Sequence, residues 1–547
     1  MSTKNPSNHY LALTIGPVVK TLLEARKTRE LWAASYLLST LMKHLVQNLD
    51  PDGKHLLIPK IPDEVQHATL YGAGIYPDRL FMEAAVLTEA QIEKAINDSL
   101  KSLAKDCLLK EEAGEVDNAV IFWKQFFRIR YVLIPLEDIK EGKLSTVLSP
   151  FLDTLELEDT CMDYKLQSNY LLQLFDKKRL FRCKLVDALQ DDNRGAYSEI
   201  LEHFALFPAT HEFASFELFE REPANYLQLS EQTDEEKNEV FYQEIETNDA
   251  YKQLKKHFKP RHKYFCIVQA DGDSIGEAIK KLNTVEEYRQ FSETLARYGQ
   301  TAASIINEYG GKPIYIGGDD LLFLAPLSTK EASIFDLLDK LDKAFPKAQL
   351  HPEASLSFGL NIVYYKFPLF EAIGDAYGIL KKAKDYPGKN AVSFQFTKHS
   401  GSAFSAVFSK GFLEGVFAAI EVFETHAPKG RASIVSSLIF KLLALKQLLT
   451  DLAKRVEATT DAAKINAALE SRLDSTLEQF YGEWNHEPGF EAQKKAVKTL
   501  LMKAYLESKG PENWIMLFYA VMRLIQFTIS PSETNQYDTE NIAATAG

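Results

Sequence analysis

Residues 312–326 read KPIYIGGDDLLFLAP, two apolar runs flanking Gly317, Gly318, Asp319 and Asp320. That pattern predicts a tight β-hairpin, because glycine supplies the positive φ that short hairpin loops need and aspartate tolerates turns. Leu321, Leu322, Phe323 and Leu324 follow the carboxylates directly, which sets Asp320 at the mouth of a buried strand. A second apolar run, HKYFCIVQADGD at 262–273, also ends in acidic and glycine residues and suits a central strand entering a loop.

Around these runs the periodicity predicts helices at 275–282, 285–309, 330–345 and 369–384, and strands at 355–365 and 391–396. The order strand, two helices, hairpin, helix, strand, helix, strand resembles the ferredoxin-like core of polymerase and cyclase palm domains. In such a fold the strand ending at Asp271 lies beside the hairpin, and Asp271, Asp273, Asp319 and Asp320 converge. Such a cluster repels itself unless a cation neutralises it, and hard oxygen ligands select Mg²⁺ or Mn²⁺. Three or four of these carboxylates, with the Gly272 carbonyl, are the candidate metal ligands. Two metals held this way activate a 3′-hydroxyl and stabilise charge on a transferring phosphoryl group. Gly272 and Gly276 let backbone approach a triphosphate, and the helix opening at Ile275 offers its amides to the phosphates. Taken singly, Asp271-Gly272 reads equally well as a solvated turn. Lys384, in KKAKDYPGKN at 381–390, reads either as a basic helix end complementing the dipole or as a phosphate ligand beside the carboxylates.

The rest of the chain is organised around this unit. Near the N-terminus, HYLALTIGPV at 9–18 predicts a half-buried strand, followed by one helix through 18–46 and a strand-like run, FFRIRYVLIPL, ending near Pro135. Residues 140–255 are charge-rich and mostly helical. Those from 402 to about 530 read as helical throughout, a bundle, and the polar tail is expected to be disordered. The expected division is 1–139, 140–257 a helical linking domain, 258–400 the palm with the hairpin, 401–531 a helical bundle and 532–547 the tail; that 1–139 is a first palm without a carboxylate cluster is what the family resemblance given below implies. The fold class is therefore α+β, and the chain is expected to carry two divergent copies of one fold.

Composition narrows the function classes. The 547 residues carry 63 Lys+Arg against 76 Asp+Glu, a net charge of -13, which argues against a free-standing non-specific nucleic-acid binder. Contact with RNA inside an assembly stays open, because other subunits can supply the positive charge. The apolar stretch Trp514–Met522 ends at Arg523, short of the roughly 20 residues that span a bilayer, and the first residues lack a signal peptide's basic and apolar regions. A soluble cytoplasmic protein with no membrane partner is expected. Cys107, Cys161, Cys183 and Cys266 form no C-x-x-C pair, so reduced thiols are expected rather than a zinc ribbon.

The motifs A-D-G-D-x-x-G at 270–276, I-G-G-D-D at 316–320 and A-K-x-x-P-G-K-N at 383–390 together resemble the second palm of the large polymerase-like subunit of type III CRISPR–Cas effector complexes. Ile15-Gly16-Pro17-Val18 and ARKTRELWAASYLLS at 25–39 are similar to the opening of that subunit's first palm in the Cmr branch, subtype III-B. The resemblance implies a subunit of a crRNA-containing complex with other Cmr-type subunits, switched on by target RNA, that uses ATP and a divalent metal to make cyclic oligoadenylate. By motif, it makes Asp271, Asp319 and Asp320 catalytic. Ser274, Gly276 and Lys384 would hold the donor triphosphate, and Thr28, Trp32 and Ser35 would line the first-palm pocket.

Three departures modify these expectations. The chain contains no His-Asp dipeptide, so the family's HD nuclease and its DNase activity are not expected. Cys161 and Cys183 cannot form a four-ligand zinc cage alone. Where the family has Pro-Asn-Arg, this chain has Pro77-Asp78-Arg79. That exchange is either harmless or places a carboxylate against a cationic ligand. A subgroup without the HD domain joins AMP to S-adenosylmethionine, whose ammonium and sulfonium would suit Asp78 with Glu156, Glu158 or Asp159. Both products stay open, as does a non-catalytic scaffold. A diguanylate cyclase fits poorly, because Leu321 follows Asp320 where that family's hairpin has another acidic residue and Phe.

Overall fold

The computed structural model describes residues 9–66, 73–84, 87–135, 144–157, 168–176, 180, 208–232, 238–425, 450, 451, 470, 471, 474, 475, 478, 490–508 and 513–529. Ten strands among them form two sheets. The first contains β1 (His9–Gly16), β2 (Leu56–Ile58), β3 (Arg79–Glu83) and β4 (Arg128–Pro135), in the order β2-β3-β1-β4. Its pairings are antiparallel throughout. The second contains β5 (Tyr264–Asp273), β6 (Lys312–Gly317), β7 (Asp320–Pro326), β8 (Ser355–Tyr364), β9 (Ala391–Thr397) and β10 (Ala403–Ser409). Its order is β10-β9-β8-β5-β7-β6. The four strands β8-β5-β7-β6 repeat the order of the first sheet, so the α+β class with two ferredoxin-like palms holds.

The structure corrects four sequence expectations. The helix expected through 18–46 is two, Val18–Leu23 and Thr28–Leu49. Glu30 makes the break, its carboxylate accepting from the backbone N–H of Arg26 at 2.8 Å and of Lys27 at 3.1 Å and so capping the second helix. The short strands β2 and β3 were not expected. The helix expected from 330 starts at Ile334, where Ser333 and Asp336 cap one another reciprocally. The residues from 402 are not helical throughout: β10 pairs antiparallel with β9. Phe404, Ala406 and Phe408 alternate with more exposed neighbours, a period of two embedded in a helical region.

The two sheets are joined by backbone. Gly74 bridges Tyr315 on the edge strand β6, and the Ile316 N–H donates to the Gly74 carbonyl at 2.9 Å. A β-carbon at 74 would lie 2.9 Å from Ser39 Cβ, so this approach needs glycine. Ser35 Oγ donates to the Ile314 carbonyl at 2.8 Å. On the flank, Lys60 N–H donates to Ser292 Oγ at 2.8 Å and Arg289 Nε to the Leu56 carbonyl at 3.1 Å. One apolar core runs from Leu11 and Leu13 through Phe213 and Phe241 to Ile267 and Leu322.

Between the sheets in sequence, the helices Thr210–Ala214, Phe216–Arg221, Pro223–Gln232 and Asn238–Thr247 pack through aromatic side chains. Tyr226 lies edge-on to both Phe219 and Phe241, and Phe213 and Phe216 are core. Phe204 and Phe207 fall outside the described residues. Glu217, 1% exposed, fixes this unit to the second sheet. Its Oε2 accepts from Arg261 Nη2 at 2.7 Å and Ser328 Oγ at 2.9 Å and lies 2.9 Å from His262 Nε2. Helices Lys410–Thr425, Phe490–Glu507 and Trp514–Ile529 pack behind β10. The expected tail, Cys161 and Cys183 lie outside the described residues, while Cys107 and Cys266 are buried and in no disulfide. Among the described residues, no helix is long and apolar enough to cross a membrane.

Candidate active site between the two sheets

The hairpin loop is Gly318-Asp319, because Gly317 pairs with Asp320 across it. Gly318 has φ +73°, a conformation that favours glycine. A β-carbon at Gly317 would overlap the Tyr315 ring, so glycine there frees the ring to lie along the strand. Asp271 leaves β5 opposite Ser357 of β8.

The structure brings Asp271, Asp319 and Asp320 together. Asp320 is within hydrogen-bonding reach of Asp271. The Asp320 side chain opens to the space between the sheets, yet its surroundings raise its pKa well above the usual carboxylate range. Removal from bulk water is the first cause, and the Asp319, Asp271 and Asp78 charges add to it. Asp319 is raised to about 7, by burial first and then by Asp271. These are carboxylates short of positive charge.

Lys384 partly answers that need. Its Nζ donates to the Gly272 carbonyl at 2.7 Å and lies 2.9 Å from Asp271 Oδ2 and 3.1 Å from Asp273 Oδ1. It therefore sits on two of the expected metal ligands rather than facing outward toward a phosphate. Asp273 has another task. Its Oδ2 accepts from Ser355 Oγ and Ser357 Oγ, both at 2.7 Å, and from Asn390 N–H at 3.0 Å. Burial pushes its pKa up, but the Ser355 bond, Lys384, the Ser357 bond and the Asn390 N–H outweigh this and hold it low. It locks the strand ends to the Gly388–Asn390 turn.

Ser274 takes left-handed φ of 61° at the start of the short helix Ile275–Lys280. Gly276 is exposed, with no atom within 4 Å of where a β-carbon would stand. The donor set of three carboxylates and one carbonyl is the hard-oxygen chemistry that suits Mg²⁺ or Mn²⁺. With Lys384 among them, no group of three His, Cys, Asp or Glu side chains is already arranged around one metal point among the described residues.

Asp320 opens into a cavity of about 240 Å³ lined by both palms. Ser35, Asp78, Gln269, Tyr315, Asp320 and Tyr377 contribute its polar groups, and Ile15, Val18 and Leu22 its apolar wall. Thr28 and Trp32, expected at this pocket, do not line it. Thr28 Oγ1 donates to the Pro208 carbonyl at 2.6 Å, and fully buried Trp32 stacks on Tyr36 at 4.9 Å. Asp78 stands on the wall with its pKa raised, by burial first, against the lowering influence of Arg79. Glu156, expected to face a cationic acceptor, is instead bound by Arg79 Nη2 at 2.9 Å and Thr14 Oγ1 at 2.8 Å. Glu158 and Asp159 lie outside the described residues. Sequence reasoning missed Gln269, Tyr315 and Tyr377. Only the alternation along β5, which puts Gln269 on the face of Asp271, could have pointed to the first.

Two palm sheets of the same strand order, with Asp320 at a strand end opening into the cavity between them, share the fold of polymerase and cyclase palm domains. Family comparison makes this particular. The model "Cas10/Cmr2, second palm domain" matches residues 264–393, and "CRISPR-associated protein Cmr2, N-terminal" matches residues 10–108. At both segments the chain is similar to Cas10/Cmr2-type subunits. It is similar to the CRISPR system Cmr subunit Cmr2 of Pyrococcus furiosus, 29% identical over 166 residues, which are 26% of this chain and 19% of that protein. The matched stretch thus spans about a fifth of the curated relative. The fold is similar to a chain of Type III-B Cmr-beta bound to cognate target RNA, with TM-score 0.54, 13% identity and coverage of 86% of this chain and 78% of that one. It is also similar to a chain of a Csm1–Csm4 cassette in complex with cA4, with TM-score 0.50, 12% identity and coverage of 96% and 70%.

Proposed function

We propose that the chain is the target-RNA-activated nucleotidyltransferase of a type III-B CRISPR–Cas complex in the cytoplasm, working with other Cmr-type subunits, crRNA and target RNA. It transfers an adenylyl group from ATP to make a nucleotide second messenger. The observation that carries this reading is the convergence of Asp271, Asp319 and Asp320, with Asp320 opening into a cavity walled by both palms. The domain division is proposed as 1–139, 140–257, 258–400, 401–531 and 532–547, with β10 completing the sheet of the second palm.

Asp271, Asp319, Asp320 and the Gly272 carbonyl would hold Mg²⁺ or Mn²⁺, which when bound lowers the pKa of the attacking hydroxyl and offsets phosphoryl charge. In the transfer, the ribose 3′-oxygen of the acceptor forms a bond to the α-phosphorus of ATP. The α–β anhydride breaks, pyrophosphate leaves and the hydroxyl proton passes to solvent. Lys384 swings from Gly272 to the donor triphosphate beside Ser274 and Gly276. The walls from Ile15, Val18 and Leu22 exclude water and orient the acceptor, and Ser35 holds the two palms in register.

The acceptor is either ATP, leading to cyclic oligoadenylate, or S-adenosylmethionine, leading to an AMP conjugate. Asp78 favours the second, because a half-buried carboxylate on the cavity wall attracts an ammonium or a sulfonium. The test supplies the assembled RNA-guided complex with α-labelled ATP and Mg²⁺ or Mn²⁺, with and without S-adenosylmethionine and target RNA, and weighs the products. An AMP–S-adenosylmethionine species selects the conjugate and an oligoadenylate ladder selects the cyclase. No product from an intact complex overturns the reading and leaves a scaffold.

A further inference from the structure

We infer that Gln269 reads the exocyclic amino group of an adenine base seated in the cavity between the palms. The inference rests on the proposed nucleotidyl transfer and adds to it the residue that selects the base.

Gln269 is 4% exposed, lies two residues before Asp271 and so shares its face of β5. Its strand neighbours are Leu322 on β7 and Gly359 on β8, neither of which offers a polar side chain. Its amide is hydrogen-bonded to the Tyr377 hydroxyl, from the helix Leu369–Lys384. The amide's Oε1 is buried and has no hydrogen-bond partner. Gln269 and Tyr377 both line the cavity.

An amide carbonyl left unpaired beside an apolar-walled space is complementary to a flat ligand with an N–H donor on its edge. Adenine provides that donor in its 6-amino group. Guanine and hypoxanthine carry a carbonyl oxygen at the same position, which would set one acceptor against another. Turning the Gln269 amide would present Nε2 and reverse the preference, so the direction of discrimination is itself diagnostic. Adenine is common to ATP and S-adenosylmethionine, and the experiment separates them.

The assembled complex is titrated with α,β-methylene-ATP and its inosine counterpart, then with S-adenosylhomocysteine and S-inosylhomocysteine, and dissociation constants are compared. The adenine member of at least one pair is expected to bind about tenfold tighter or more. The discriminating pair identifies which molecule supplies the base. In Gln269→Leu the preference is expected to fall below about twofold, with a thermal melt as the check on folding. Binding of both members of each pair with equal strength, or a preference for inosine, overturns the assignment of Gln269 and leaves the transferase standing. Failure of any adenine probe to bind the wild-type complex overturns both. The wild-type comparison needs no variant.

Discussion

The Gly272 backbone N–H donates to the Asp319 carboxylate, and a β-carbon at 272 would lie 2.6 Å from Asp319 Oδ2 and 2.5 Å from Ile275 Cγ1. The sequence suggests that this glycine makes room for a triphosphate. In the folded protein it makes room for the Asp319 carboxylate.

Gly272→Ala is therefore expected to displace Asp319 and reduce product by about a hundredfold, the scale of a misplacement near 1 Å. Product yield from the intact complex measures this. A yield within about threefold of wild type would show that Asp319 tolerates the shift.

Lys384 stands among the oxygens expected to bind metal. Lys384→Met is expected to strengthen Mn²⁺ binding to the nucleotide-free complex, read by electron paramagnetic resonance, while raising the KM for ATP. Mn²⁺ affinity unchanged in the methionine variant would mean that the lysine does not compete.

Asp78→Asn tests the acceptor. Loss of a charged hydrogen bond to a cationic acceptor predicts a roughly ten- to hundredfold fall in the S-adenosylmethionine conjugate. Oligoadenylate formation should be spared. If both products survive, the aspartate is an incidental replacement of asparagine.

The Glu217 node predicts acid sensitivity. Burial holds the His262 pKa down to about 4, against the pull of Glu217 in the other direction. An unfolded chain therefore takes up a proton there that the folded chain refuses. Stability is present above the ordinary histidine pKa and is lost as pH falls from about 6.5 toward 4, by about 3 kcal/mol in all. Glu217 works in the same direction at lower pH. Desolvation opposes its charge, but the His262 and Arg261 partners hold its pKa far below the usual value. Urea unfolding at stepped pH values measures this, and His262→Asn should flatten the upper part of the curve.

Gly359 faces the backbone of the helix Leu369–Lys384. A β-carbon there would lie 2.5 Å from the Leu380 nitrogen, an atom that cannot rotate away. Gly359→Ala should cost about 1–3 kcal/mol by thermal or chemical unfolding. It should also impair transfer, because the same helix carries Tyr377 and Lys384.

The parts of the fold legible in the sequence were those with local signals. The run ending at Asp271, the hairpin around Gly318 and the helix 369–384 are each marked by apolar periodicity and by glycine or aspartate punctuation. β10 was hidden because its seven residues have apolar spacing that a neighbouring helix absorbs. The site divided along similar lines. The carboxylates announce themselves, whereas Ser328 meets Glu217 across 111 residues and Lys384 meets Gly272 across 112, separations that leave no spacing to read. Thr28 and Trp32 failed as pocket residues because a helix presents several faces, and theirs turn toward Pro208 and the core.

The shared strand order of the two sheets and the backbone bridge from Gly74 to Tyr315 carry a kinetic consequence. A cleft between two like halves on separate molecules falls apart on dilution. Here both halves belong to one polypeptide, and the effective concentration of one for the other is fixed by the chain. Dilution should therefore leave the two palms facing one another.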